Sequence, residues 1–145
     1  MPYKKILLAA DLTDETNQVC EKAVQLCKDA NADLTIIHVI ESLNYAYGGD
    51  VPIDITDIQN QLHEDATSKM TLLSDQLAIK PIDICITQGG IESEIHRYAE
   101  EQEIDLIVVG SHGRHGLALI FGSTSNSVLH GAQCDVLAVR INEPT

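Results

Sequence analysis

Five short apolar runs recur along this chain, and each interval between them reads as a helix. The runs are Ile6-Leu7-Leu8-Ala9-Ala10, Leu34 to Ile40, Ile82 to Ile86, Asp105 to Gly110, and Val136-Leu137-Ala138-Val139. They are largely continuous rather than strictly alternating, which marks strands covered on both faces. Between them, Val19, Ala23, Leu26, Cys27 and Ala30 fall on one helical stripe, as do Ile58, Leu62, Ala66, Met70, Leu73 and Leu77, and then Ile91, Ile95 and Ala99. A fourth helix is predicted from about Ser123 to His130-Gly131. Helix entries are marked by Asp11 to Glu15, by the capping box Thr56-x-x-Gln59, and by Gly89-Gly90. Parallel strands cannot be joined by a hairpin and need such crossovers. The alternation therefore predicts an α/β fold, a doubly wound five-stranded parallel sheet with helices on both faces and right-handed connections. No linker or repeat interrupts it, so residues 1–145 are expected to form a single domain. In such sheets ligands bind beyond the strand carboxyl ends, where the winding reverses. That rule singles out Asp11, Val39 and Gly110.

Charge narrows the partners. The chain carries 22 acids against 9 bases, a formal net charge of −13. Such a surface repels nucleic acid and anionic lipid, so neither is expected as a partner. Any anion site must rely on backbone N–H groups and very few cations. No apolar run approaches the roughly 20 residues of a membrane span. Met1-Pro2-Tyr3-Lys4-Lys5 leads directly into a strand with no leader pattern, which gives the expectation of a cytoplasmic protein. The four cysteines, Cys20, Cys27, Cys85 and Cys134, form no C-x-x-C pair. They read as small core hydrophobes, with Cys134 the best candidate for a redox sensor.

The segment with the most chemical content runs from Gly110-Ser111-His112-Gly113-Arg114 to Gly122-Ser123-Thr124. It leaves a buried strand and opens a helix. Its glycines allow close backbone approach to a ligand. Gly122-Ser123-Thr124 at a helix start offers free N–H groups, hydroxyls and the positive end of the dipole, a setting that suits phosphate. Arg114 is the only Lys or Arg between Arg97 and Arg140. The alternative is a tight glycine loop with no ligand. The segment is neither a P-loop nor a G-x-G-x-x-G fingerprint. His112 and His115 read as solvated loop residues, His38 as a satisfied core histidine, and Glu100, Glu101 and Glu103 as a solvated helix end. Tyr45 and Tyr47 lie in the long irregular stretch from Glu41 to about Asp54, the predicted lid. No catalytic residue and no metal site is assigned.

The sequence resembles the universal stress protein A family along its whole length. Tyr3 to Asp11 is similar to the family's first strand and its acidic end, and Leu34 to Val39 to its second strand. Asp105 to Gly113 resembles the fourth strand with its glycine loop, and Asp135 to Val139 the last strand. The resemblance implies an adenine-nucleotide alpha-hydrolase-like fold with strand order 3-2-1-4-5. ATP-binding members share a pattern G-x2-G-x9-G-[ST]. Gly110, Gly113 and Gly122-Ser123 follow it, but eight residues rather than nine separate Gly113 from Gly122. Members most like the founding bacterial protein also have the shorter loop, lack the glycines and do not bind ATP. Carried over by position, Asp11 would accept hydrogen bonds from ribose hydroxyls. Ala9 and the Val39 backbone would border the adenine. Val109, Gly110, Gly113, Arg114, Gly122, Ser123 and Thr124 would line the ribose and phosphates.

Two functions follow from the resemblance. One is a regulatory module that binds ATP or AMP, with Mg left open as a companion ion, and supports resistance to oxidative and DNA-damaging stress. Hydrolysis would be slow at most, since no committed base is present. The other is a nucleotide-free dimeric protein-interaction module of the same family, with partners the sequence does not name. An adenylyl-transferring enzyme is not supported, as no H-x-G-H motif occurs. The resemblance also implies that the last strand lies at the sheet edge. Val136-Leu137-Ala138-Val139, free of Pro and Lys, is a template for pairing with its own copy. A homodimer through this strand is expected, weakened by Ala138→Pro or Val139→Lys.

Overall fold

The computed structural model describes residues 3–12, 16–41, 56–112, 128 and 131–141. In chain order the elements are β1 (Lys5–Ala9), α1 (Thr16–Ala30), β2 (Asp33–Glu41), α2 (Thr56–Gln76), β3 (Asp83–Gly89), α3 (Ile91–Glu101), β4 (Leu106–His112) and β5 (Asp135–Ile141). The five strands form one sheet in the order β3-β2-β1-β4-β5. Every neighbouring pair is parallel.

The strand interiors explain the continuous apolar runs. Ile6, Leu8, Leu34, Ile36, Leu106 and Val108 point to one face, where they meet Val19, Cys20, Ala23, Val24 and Cys27 of α1 and Met70 and Leu73 of α2. Leu7, Ile37, Ile107 and Val109 point to the other, against Ile95, Tyr98 and Ala99 of α3 and Val128. Side chains alternate across a strand, so a strand covered on both faces must be apolar at every position. Burying each such side chain contributes about 1.5–3 kcal/mol. Backbone bonds tie the strand entries together, with Asp33 N–H donating to the Lys4 carbonyl and Asp105 N–H to the Lys5 carbonyl, both at 2.9 Å.

Two details depart from the periodicity. The α2 stripe is not buried throughout: Ala66, Met70 and Leu73 are, but Ile58 and Leu62 are 44% and 38% exposed. Leu77, assigned to the same stripe, lies beyond the helix end and packs at the rim of that core. Strand β3 runs on to Gly89, whose φ of +145° is open to glycine and strained for other residues. Its neighbour Gly90 caps α3. The stretch from 42 to 55 and nearly all of the predicted fourth helix lie outside the described residues, except that Val128 is helical and fully buried.

Candidate functional site

The sheet has a notch at its carboxyl edge, and register shows why. Leu8 of β1 is level with Val108 of β4, and Ala9 is level with Ile37 of β2. Strand β1 then stops, while β2 continues to Glu41 alongside β3 and β4 continues to His112 alongside β5. The neighbours overshoot by three and four residues, which at the strand rise makes a gap roughly 10–13 Å deep. This gap lies where the winding reverses on either side of β1.

Local bonds end β1 at this point. The Ala10 N–H still donates to the Ile37 carbonyl at 2.9 Å. The Ala10 carbonyl leaves the ladder and is 2.7 Å from Nδ1 of His38. A carbonyl only accepts, so Nδ1 carries the hydrogen. Leu12 then adopts a left-handed φ of 62°, turning the chain away from the sheet. Asp11 sits between these two features, and its Oδ1 accepts a 2.7 Å hydrogen bond from the Thr16 hydroxyl at the start of α1.

A cleft of about 620 Å³ occupies the notch. Ala9, Asp11, Val39, Val109 and Gly110 all line it, so five of the residues singled out from sequence come together from three strands. The remaining members of that set, Gly113, Arg114, Gly122, Ser123 and Thr124, lie outside the described residues, as do Tyr45, Tyr47 and His115. Other walls were not foreseen. Ile91 and Ile95 of α3 close the side that also carries Ile37, while Leu62, Asp65, Ala66 and Lys69 of α2 close the other. The partial exposure of Leu62 reflects this position. Spacing alone ties these residues to α2 but not to a cleft, because the crossing of α2 over β2 is a tertiary fact. Among the described lining residues the carboxylates of Asp11, Glu41 and Asp65 face a single ammonium, that of Lys69.

His38 also lines this cleft. It is satisfied, as expected from sequence, but half-buried at the cleft wall rather than sealed in the core. Glu100, Glu101 and Glu103 are exposed, as read from their clustering. No group of three metal-ligating side chains occurs among the described residues. None of their helices is long and apolar enough to cross a membrane.

Two of the cysteines, Cys20 and Cys27, are core residues as expected, whereas Cys85 and Cys134 are half-buried and pack against the edge of the other cluster. Cys20 and Cys27 are buried on the same face of α1, and all four thiols are free. Burial pushes the Cys20 thiol up to about 12 and Cys27 to about 11, with Asp11 and Asp33 as their respective next causes. Burial likewise raises Cys85 and Cys134, each helped by a neighbouring aspartate. A raised thiol holds little thiolate, the reactive form, at neutral pH. Among the described residues, the charges that act on Cys134 are those of Asp135 and Asp105, which disfavour the thiolate a redox sensor uses.

Comparison with known proteins supplies the context for this geometry. The model of the Universal stress protein family matches residues 2–140. Universal stress protein A homolog 2 of Coxiella burnetii is 43% identical over 143 residues, covering 96% of both chains. The universal stress protein UspA from Lactobacillus plantarum superposes with a TM-score of 0.78 at 26% identity, covering 97% of this chain and 99% of its own. A universal stress protein solved in complex with cAMP shares the fold, with a TM-score of 0.63 at 20% identity over 96% of this chain and 98% of its own.

Proposed function

This chain belongs to the universal stress protein family, and we propose that it is a regulatory protein holding an adenine nucleotide, ATP or AMP, in the cleft beyond β1. In this reading Asp11 accepts hydrogen bonds from the ribose hydroxyls, and Ala9 and the Val39 backbone border the adenine. Val109 and Gly110, with Gly113, Arg114, Gly122, Ser123 and Thr124, line the ribose and phosphates. The observation that carries it is the meeting of Ala9, Asp11, Val39, Val109 and Gly110 at one cleft where the sheet winding reverses. The cleft's volume of about 620 Å³ suits a small-molecule site. A relative of the same fold solved with cAMP lends support, since cAMP is an adenine nucleotide. Occupancy would be read by partner proteins in a stress response, within a cytoplasmic homodimer paired through β5.

The described walls are acidic, so the phosphates must be met by the amides of the glycine loop, the helix start after it and Arg114. The same acidity, with the eight-residue loop, favours a second reading: a nucleotide-free dimer whose surface carries the function. Titration calorimetry with ATP and AMP, with and without Mg, separates them. The nucleotide reading predicts saturable binding that Asp11→Ala weakens by about tenfold to a hundredfold, the value of charge-assisted hydrogen bonds. Absence of heat at millimolar nucleotide would leave the dimer reading in place.

A further inference from the structure

We infer that His38 is a positioning residue for the Asp11 carboxylate, setting its direction through the peptide between Ala10 and Asp11. This deepens the nucleotide reading of the cleft and rests on it. The peptide unit in question carries the Ala10 carbonyl on one side and the Asp11 N–H on the other. Because peptides are planar, fixing one fixes the other. Ala10 is tied to β2 twice, by its N–H to the Ile37 carbonyl at 2.9 Å and by its carbonyl to Nδ1–H of His38 at 2.7 Å. Without the second tie, the plane could turn about the Ala10 ψ bond. Rotation there swings the Asp11 side chain relative to the cleft.

The surroundings make this tie matter. Ala10 is only 6% exposed. The sheet ladder offers its carbonyl nothing further, since β1 ends at Ala9. A carbonyl buried without a donor carries a desolvation cost, so the loss of His38 would drive the peptide to turn toward another partner. On the far side of Asp11, left-handed Leu12 and the 2.7 Å bond from the Thr16 hydroxyl fix the exit of the turn. His38 fixes its entrance. Asp11 is thus held from both ends, and it lines the cleft together with His38 itself. The hydrogen bond also requires that Nδ1 carry a hydrogen.

The test uses two substitutions of opposite character. In His38→Asn the side-chain amide nitrogen occupies about the place of Nδ1 and keeps the donor, while His38→Leu removes it. Nitrogen-15 shifts of the wild-type ring should report Nδ1–H in the ligand-free protein. Residual dipolar couplings of the Asp11 amide should change in His38→Leu and be retained in His38→Asn. ATP affinity should fall about tenfold in His38→Leu and recover to within about twofold in His38→Asn, as for one hydrogen bond. In an Asp11→Ala background His38→Leu should have no further effect, because positioning acts only through Asp11. An Nε2–H tautomer, an unmoved Asp11 amide in His38→Leu, or equal losses in the two backgrounds would overturn the inference. If the wild type binds no nucleotide while the tautomer and the couplings behave as stated, the nucleotide reading fails and the positioning stands.

Discussion

The carboxylate of Asp105 stands at the entrance to two strands. Its Oδ2 accepts the backbone N–H groups of both Lys4 and Lys5 at 2.9 Å. Those two donors hold its carboxyl below the ordinary range. A lowered folded-state pKa contributes stability that is complete above the unfolded value of about 3.9 and is lost as pH falls through the folded value. Asp105 is exposed, so screening keeps the contribution near 1 kcal/mol. Asp105→Asn should therefore lower Tm by about 2–4 °C at neutral pH. The difference from wild type should close as pH falls through the lowered folded value, which thermal melts across the acid range will read. Tyr98 acts at the opposite limb. Its hydroxyl donates to Asp83 at 2.6 Å, and burial, then that bond, raises its pKa. The raised value contributes stability below about pH 10 that is lost as pH rises through the folded value. Tyr98→Phe should cost about 1 kcal/mol at neutral pH and flatten the alkaline limb of denaturant midpoints. For the thiols, Cys20 and Cys27 should stay unlabelled by a disulfide reagent in native protein and react only on unfolding.

At the scale of elements, helix α3 is joined to the segment before β5 through His96. Its Nε2 is 2.8 Å from the carbonyl of Val128. Gly131 lies beside the same ring, and a Cβ placed there would overlap Cε1 of His96 and lie 2.8 Å from its Nδ1. Gly131→Ala should push the ring aside, break the bond to Val128 and cost about 1–2 kcal/mol, measured by urea unfolding. Nothing in the periodicity announces this glycine, because its reason is a neighbour 35 positions earlier in sequence, a ring on α3. The same divide runs through the cleft. Asp11, Val39 and Gly110 were legible because they follow apolar runs at strand ends, a local signal with a known topological meaning. Lys69 and Asp65 were not, since they look like any solvated pair on α2. Ile58 and Leu62 were legible as a stripe but not as exposed, because periodicity defines a helix face and not what packs on it.

For the whole molecule, the strand order places β5 at one edge and β3 at the other. The edge position of β5 accords with the expected pairing strand. Val139 packs toward α1, whereas Ala138 is exposed. Val139→Lys would therefore disturb the core as well as the edge. Ala138→Pro, which bears on the backbone, is the more selective probe of the proposed pairing, which predicts a higher dissociation constant for the dimer in sedimentation equilibrium. The notch left by short β1 assembles a cleft from the ends of β1, β2 and β4. The most direct measurement is the nucleotide content of protein purified without added nucleotide, denatured and resolved by anion exchange. The nucleotide reading predicts near-stoichiometric adenine nucleotide in the wild type and its loss in Asp11→Ala. An empty wild-type protein, or equal content in Asp11→Ala, would contradict it.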